Sequence, residues 1–293
     1  MQLHYSSMER PALDAGHLRA ALVAPNGPLA ALEVVEETGS TNADLADAAR
    51  LRPWEAADLT VLTAELQTAG RGRMDRSWVA PERSSLFVSV LLRPVNAAGR
   101  PLPTTSYGWL SLLAALAMAE SVAARTGVEA RLKWPNDVMV DGRKLAGVLA
   151  QLVPASDGGP PAVVVGAGLN VSLTDDDLPV PTATSLLMEY ASTTDRNILL
   201  QDYLLAFTAR YRTFCSVDGD PEAVASGASL RDEVTARLDT LGRAVSAQLP
   251  GGGVLTGRAV ALAPTGALVI VDDAGATHTV SAADVVHLRP EPS

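Results

Sequence analysis

Lysine is almost missing from this chain. Of 23 basic residues only Lys133 and Lys144 are lysines, and both fall in one run, Lys133-Trp-Pro-Asn-Asp-Val-Met-Val-Asp-Gly-Arg-Lys144. Cysteine occurs once, at Cys215, which excludes an internal disulfide framework and any multi-cysteine metal site. Its place in an apolar helical pattern reads as core. Aromatic residues are 4% of the chain, so a core drawn from its 47% of hydrophobic residues must be built mainly from Leu, Val and Ala. Positive charge is scarce as well. A net charge of −10 argues against general nucleic-acid binding, which needs a basic surface. The chain does not open on a basic start followed by an apolar run, so no signal peptide is read. No uninterrupted apolar stretch approaches the roughly 18–20 residues of a membrane span. The longest, Trp109 to Ala124, is broken by Ser111, Glu120 and Ser121. A cytoplasmic protein without a membrane partner is expected.

What remains is arginine, and its contrast with lysine is chemical. Arginine is a planar, permanently charged fork, whereas lysine is a compact point charge on a flexible stem. Two lysines kept within twelve residues either mark a site too tight for a guanidinium or reflect chance under a coding bias. For Lys133 the two readings balance; for Lys144 the surrounding motifs favour function.

Periodicity places a short helix over Leu13 to Val23, a strand over Leu32 to Glu36, and a helix over Ala43 to Leu51 capped by Ser40-Thr41-Asn42. Strands follow over Thr60 to Ala64 and Ser85 to Leu92, then a long, largely buried helix over Tyr107 to Thr126. Asp137 to Val140 and Lys144 to Val153 read as a hairpin about Asp141-Gly142, a strong turn signal. A strand over Ala162 to Val165 runs into Gly166-Ala-Gly-Leu-Asn170. Helices are expected over Ile198 to Phe214 and Pro221 to Leu241. Beyond that the helical period stops, and short runs punctuated by Gly251-Gly-Gly253, Pro264-Thr-Gly266 and Asp272-Asp-Ala-Gly275 suggest a small antiparallel barrel of SH3 size. The expected division is a 1–30 extension with a short helix, a 31–240 catalytic unit and a 241–293 SH3-like unit.

Three segments carry chemistry. Gln67-Thr-Ala-Gly70-Arg71-Gly72-Arg73-Met-Asp-Arg76-Ser-Trp78 spaces arginines with glycines. That suits an anion with several charged oxygens, since glycine permits close approach and arginine supplies forks of donors. It also suits a solvated basic loop. The loop is neither a Walker A sequence nor a dinucleotide fingerprint. Trp78 is either core or an apolar lid. Trp134-Pro135-Asn136-Asp137 precedes Lys144; if the strands pair as expected, Asp137 and Lys144 face one site, as a structural ion pair or a catalytic one. Gly166-Ala-Gly168-Leu-Asn170 puts small residues and an amide at a strand's end, a usual ligand crevice.

Taken in order, these pieces resemble the biotin protein ligases. The matching residues are Gly39-Ser40-Thr41-Asn42, Gln67 to Arg73, Trp78, Leu86 to Pro94, Lys133 to Asp137, Arg143-Lys-Leu-Ala-Gly147 and Gly166 to Asn170. They cover the first two-thirds of the chain, and the family also carries a small carboxy-terminal barrel. The resemblance implies an α+β fold: a mixed-sheet catalytic domain of the class II aminoacyl-tRNA synthetase and biotin ligase type, followed by an SH3-like barrel. It implies condensation of biotin with ATP to biotinyl-5′-adenylate, then transfer of biotin to a lysine of the carrier domain of a biotin-dependent carboxylase. By that resemblance Lys144, Arg73 and Asp137 are the catalytic residues. Ser40, Thr41, Asn42, Gln67, Gly70, Arg71, Gly72, Arg73, Trp78, Lys144, Gly147 and Gly166 form the biotin site, with Ser40, Thr41 and Gln67 on the ureido ring. Arg71, Arg73, Arg76, Trp78, Asn136, Lys144 and Asn170 form the nucleotide site. ATP and biotin enter as substrates. Magnesium (Mg2+) is expected for the pyrophosphate, with no ligands indicated.

Asp75 stands where many family members have glycine, which puts the mobility of the Arg loop in question. A lipoate or octanoate ligase is the nearest alternative; the Gly-Arg-Gly-Arg loop and the barrel favour biotin. A biotin-sensing repressor is disfavoured because the 39 residues before Ser40 show one helical pattern and no basic recognition helix. The monofunctional type is therefore expected, as a monomer or weak homodimer, with no nucleic-acid partner. Since every motif precedes residue 240, the biotin and ATP pockets are expected to stay largely intact without the barrel, with transfer suffering more than folding if the barrel helps assemble the nucleotide or acceptor site.

Overall fold

A computed structural model describes residues 10–51, 56–155, 158–225, 227–249, 252–282 and 287–290, with the backbone alone for Asp75 and 287–290. The chain begins with α1 (Ala15–Leu22), capped by the Asp14 carboxylate, which accepts from His17 N. Next come β1 (Ala31–Thr38), α2 (Thr41–Leu51), β2 (Thr60–Gln67), β3 (Ser85–Leu92) and α3 (Gly108–Thr126). Then follow β4 (Arg131–Lys133), β5 (Asp137–Val140), β6 (Arg143–Val153), β7 (Ala162–Asn170), α4 (Arg196–Ser216) and α5 (Leu230–Arg237). The carboxy-terminal part contains β8 (Ala244–Gln248), β9 (Val254–Leu262), β10 (Leu268–Val271), β11 (Thr277–Val280) and β12 (His287–Pro290).

Seven strands form one mixed sheet in the order β1-β2-β3-β7-β6-β5-β4, with only β1 and β2 parallel among the pairs. The last five form a second, antiparallel sheet in the order β11-β10-β9-β8-β12.

The two faces of the large sheet are finished differently, and alternation along β7 shows why. Val163, Val165, Ala167 and Leu169 point into the main core with α3 and α4. Ala162 and Val164 point the other way, against Leu45, Ala46 and Ala49 of α2. On that second face Gly166, Gly168 and Asn170 continue the row, so the packed surface gives way to a groove floored by glycine. α3 is long and apolar enough to cross a bilayer by composition, but most of it is buried between sheet and helices. It ends at Gly127, whose φ of 76° suits a residue without Cβ. Cys215 is buried as expected, and burial pushes its thiol up to about 11.

Several expectations are corrected. The helix over Pro221 to Leu241 is only α5, because Gly227 takes a φ of 72° and Ser229 caps a fresh start by accepting from Asp232 N. It stops at Leu238, which leaves to pair with Leu132. β4, three residues long, was not read from the sequence. β7 runs on through the glycines to Asn170 rather than ending at Val165.

Candidate functional site

The hairpin forms as its turn chemistry demands. Asp141 and Gly142 take φ of 47° and 78°, the two positive angles of a type I′ turn, and Val140 pairs with Arg143. A bulge between Val138 and Met139 shifts the register, so Asp137 lies opposite Gly147 and Met139 opposite Lys144. Lys144 Nζ reaches back to Asp137 Oδ1 at 2.6 Å, with both side chains partly exposed.

Lys144 lies over Trp78, its Nζ 5.2 Å from the ring centroid. The indole itself lies on the glycine floor. A Cβ at Gly168 would stand 2.6 Å from Trp78 Cε2, and one at Gly147 would meet both the ring at 2.9 Å and Lys144 Nζ at 3.0 Å. Any side chain there would expel the indole. Trp78 thus covers the glycine floor and also packs against the small cluster of Ala80, Phe87 and Leu173.

The Arg loop is ordered by its own bonds. Trp78 N donates to Gly70 O at 2.8 Å, Gly72 N donates to Arg76 O at 2.6 Å, and Arg71 bridges to Ser77. Gly70 is obligatory here, since a Cβ would lie 2.4 Å from Trp78 O and 2.8 Å from Gln67 Nε2. Arg73 donates to Ala282 O in the carboxy-terminal part. Burial lowers the Arg73 guanidinium below its ordinary range, opposed by the charge of Asp137 and assisted by Arg76. The side chain of Asp75 lies outside the described residues.

Gln67, Thr41 and Asn42 meet at the far end of the floor. Gln67 Oε1 accepts from Thr41 N at 2.9 Å and lies 3.0 Å from Thr41 Oγ1. Asn42 Nδ2 donates to Leu149 O at 3.0 Å. Its amide rests on Gly166, where a Cβ would stand 2.2 Å from Oδ1. Ser40 is buried immediately before the helix.

Asn136 and Asn170 act first as clips. Asn136 Nδ2 donates to Val148 O at 2.5 Å and Val148 N returns to Asn136 O at 2.9 Å, fastening the loop to β6. Asn170 Nδ2 donates to Thr184 O at 2.9 Å.

A cavity of about 780 Å3 opens beside this groove. Arg71, Arg73 and Asn136 line one side, Tyr107 and Ser111 another, and Thr265, Gly266, Ser281 and Ala282 the third. The carboxy-terminal part thus supplies one wall of this cavity, although every motif read from the sequence precedes residue 240. The turn at Pro264 to Gly266 is drawn into the wall by two indoles: Trp109 Nε1 donates to Pro264 O at 2.7 Å and Trp134 Nε1 to Gly266 O at 3.0 Å. Trp134 is fully buried, and its backbone N donates to Thr240 Oγ1 at 2.9 Å. Nothing in the local sequence announces that turn as a partner of α3. Ser89, which contacts both Thr41 and Asn42, was missed too; its signal was a hydroxyl in the middle of an apolar strand.

A glycine-floored groove with a cation over it and an arginine-lined cavity nearby suit an acid and an anionic nucleotide. The comparisons agree. The Biotin/lipoate A/B protein ligase family matches residues 34–170, and the biotin protein ligase C terminal domain matches residues 240–288. A biotin--[acetyl-CoA-carboxylase] ligase of Mycobacterium tuberculosis is 41% identical over 283 residues, 96% of this chain and 97% of that protein. The bifunctional ligase/repressor BirA of Bacillus subtilis is 35% identical over 158 residues, 53% of this chain and 46% of that protein. The biotin protein ligase of Aquifex aeolicus, solved in complex with biotin and ATP, superposes with a TM-score of 0.68 at 26% identity, covering 89% of this chain and 99% of the other. The chain belongs to the biotin protein ligase family.

Proposed function

We propose that this chain condenses biotin with ATP to biotinyl-5′-adenylate and transfers the biotinyl group to one lysine of a biotin carboxyl carrier domain. The observation that carries the reading is the place of Lys144. Its Nζ stands over the glycine-floored groove and pairs with Asp137, whose charge reaches Arg73 on the wall of the arginine-lined cavity. A carboxylate lying in the groove and a phosphate entering from the cavity would meet there. In the first step a carboxylate oxygen attacks the α-phosphorus and pyrophosphate leaves. Two anions must approach each other, and a point cation between them lowers that cost most in the crowded transition state. Arg71 and Arg73 bind the phosphate side, and Trp78 excludes water from a hydrolysable mixed anhydride.

In the second step the acceptor amine attacks the carbonyl carbon, the bond to AMP breaks, and the amine loses a proton. A free lysine is protonated near neutrality. Asp137, beside the reacting region, supplies a carboxylate to orient that amine and take its proton. Residues 31–240 would form the catalytic unit, with 241–293 closing the nucleotide cavity. Among the described residues no group of three His, Cys, Asp or Glu could hold a metal ion. Magnesium would enter with the nucleotide, bound chiefly by phosphate oxygens and water.

The test is mass spectrometry of a carrier-domain lysine after incubation with biotin, ATP and magnesium, with lipoate as a parallel arm. Gain of one biotinyl group is expected. An acceptor left unmodified by the folded enzyme would overturn the reading, and modification with lipoate alone would move it to the lipoate ligases.

A further inference from the structure

Ser89 sits at the centre of β3 and is completely buried. Its Oγ is 2.6 Å from Asn42 Oδ1 and 2.8 Å from Thr41 Oγ1. A serine hydroxyl has one proton, so it can donate to only one of them. The amide of Asn42 settles which. Its Nδ2 donates to the Leu149 carbonyl, which can only accept, so Oδ1 is the end that faces Ser89 and it too can only accept. Were Ser89 to spend its proton on Thr41, two oxygens would confront each other at 2.6 Å with no hydrogen between them. The proton therefore goes to Asn42, and Ser89 offers a lone pair to Thr41; the other acceptor within reach of the Thr41 proton, Gln67 Oε1, is farther at 3.0 Å against 2.8 Å and is already served by Thr41 N.

We propose that Ser89 is a positioning residue that sets the polarity of the ureido subsite, turning the Thr41 hydroxyl proton inward so that its lone pairs face the ligand. The inference rests on the reading that Thr41 and Gln67 hold the ureido ring. Gln67 completes the pattern. Its Oε1 is occupied by Thr41 N, which leaves Nε2, close to Gly70, as the free end of that amide. The subsite then presents an acceptor at Thr41 Oγ1 and a donor at Gln67 Nε2. A cyclic urea offers the complement, an N–H beside a carbonyl. An aliphatic acyl chain offers neither, and a site with buried polar groups left unpaired rejects such a ligand strongly. Selectivity for biotin would then depend on a hydroxyl that never touches it.

A double-mutant cycle read by calorimetric biotin affinity tests the relay. Thr41→Val removes the acceptor, and Ser89→Ala removes the group that orients it. Each single variant should weaken biotin binding about tenfold, the size of one modest hydrogen bond. The double variant should bind about as the Thr41→Val variant does, because a relay broken at its end has nothing further to lose. Nucleotide affinity should stay within about twofold in all three. If Ser89→Ala fails to fold, Ser89→Cys keeps the volume with a weaker donor and should show the same coupling. Losses that multiply to about a hundredfold, or a Ser89→Ala variant that binds as the wild type, would overturn the relay and leave the biotin reading intact. A wild-type chain that binds no biotin would overturn both.

Discussion

Two ion pairs of the same length stand on the same sheet. Lys144 to Asp137 and Arg196 to Glu65 both measure 2.6 Å, yet their surroundings differ in every other respect. Arg196 and Glu65 are each 4% exposed. Their remaining bonding capacity is taken up locally: Leu13 N donates to Glu65 Oε1 at 2.6 Å, and Arg196 donates to Pro11 O at 2.7 Å. That pair ties the amino-terminal segment and α4 to β2. Lys144 and Asp137 are 33% and 22% exposed, and the lysine has an aromatic face and bare glycine for neighbours. Length alone separates a structural pair from a catalytic one no better than sequence spacing does. What separates them is whether the charges are already fully answered by the protein.

The largest effect should come from the buried pair. Glu65→Ala leaves Arg196 charged and buried, a loss on the order of 3–5 kcal/mol. Chemical denaturation should show it, and a midpoint close to the wild type would break the contrast. Lys144→Arg should come next and appear only in catalysis. A guanidinium between a carboxylate and an α-phosphate is too wide, and misplacement of that kind costs about 100-fold. Biotin-dependent pyrophosphate release reads the loss, with thermal melts staying close to wild type. Release near the wild-type rate would make Lys144 a surface charge.

Trp134→Phe should be smaller still. It deletes the bond to Gly266 O and keeps the ring, for about 1 kcal/mol, or roughly 3 °C in melting temperature for a chain of this size. Because Gly266 walls the cavity, the KM for ATP should rise while that for biotin holds; equal changes in both would separate the turn from the nucleotide. Lys133→Arg should be the mildest. Lys133 lies on β4, whose Cα faces that of Asp137 across the strands, and activity within about twofold of the wild type is expected. A larger fall would mean that both lysines, not one, resist replacement.

The parts legible in the sequence were those whose signals are local. Asp141-Gly142 specified its turn, and through it the meeting of Asp137 with Lys144. The glycines at 70, 147, 166 and 168 marked backbone that another group must touch, without naming the group. What could not be read was set across distance. Ser89 matters because Asn42 and Thr41 arrive from α2, 47 and 48 residues away. β4 exists because it has partners in β5 and at Leu238, not because three residues favour a strand. The turn at Pro264 to Gly266 looks like any exposed turn until α3 and the Trp134 loop close on it. The Arg loop shows the same limit: Arg73 finds the Ala282 carbonyl and the charge of Asp137, partners that its own Gly-Arg-Gly-Arg spacing does not name.

The bonds that Trp109 and Trp134 make to the 264–266 turn end on main-chain oxygens. Such a socket does not read side chains. It asks only for a turn of the right outline, with a residue as small as Gly108 at the point where Thr265 O comes closest, since a Cβ there would stand 2.5 Å away. Apart from Gly266, whose φ of 81° calls for glycine, the identity of the amino acids in the turn is left free to drift while the seat stays the same. The carboxy-terminal unit is in this sense a replaceable cartridge: a foreign unit that repeats the turn should click into place, bring its own side chains to the nucleotide, and leave the groove and its lysine untouched.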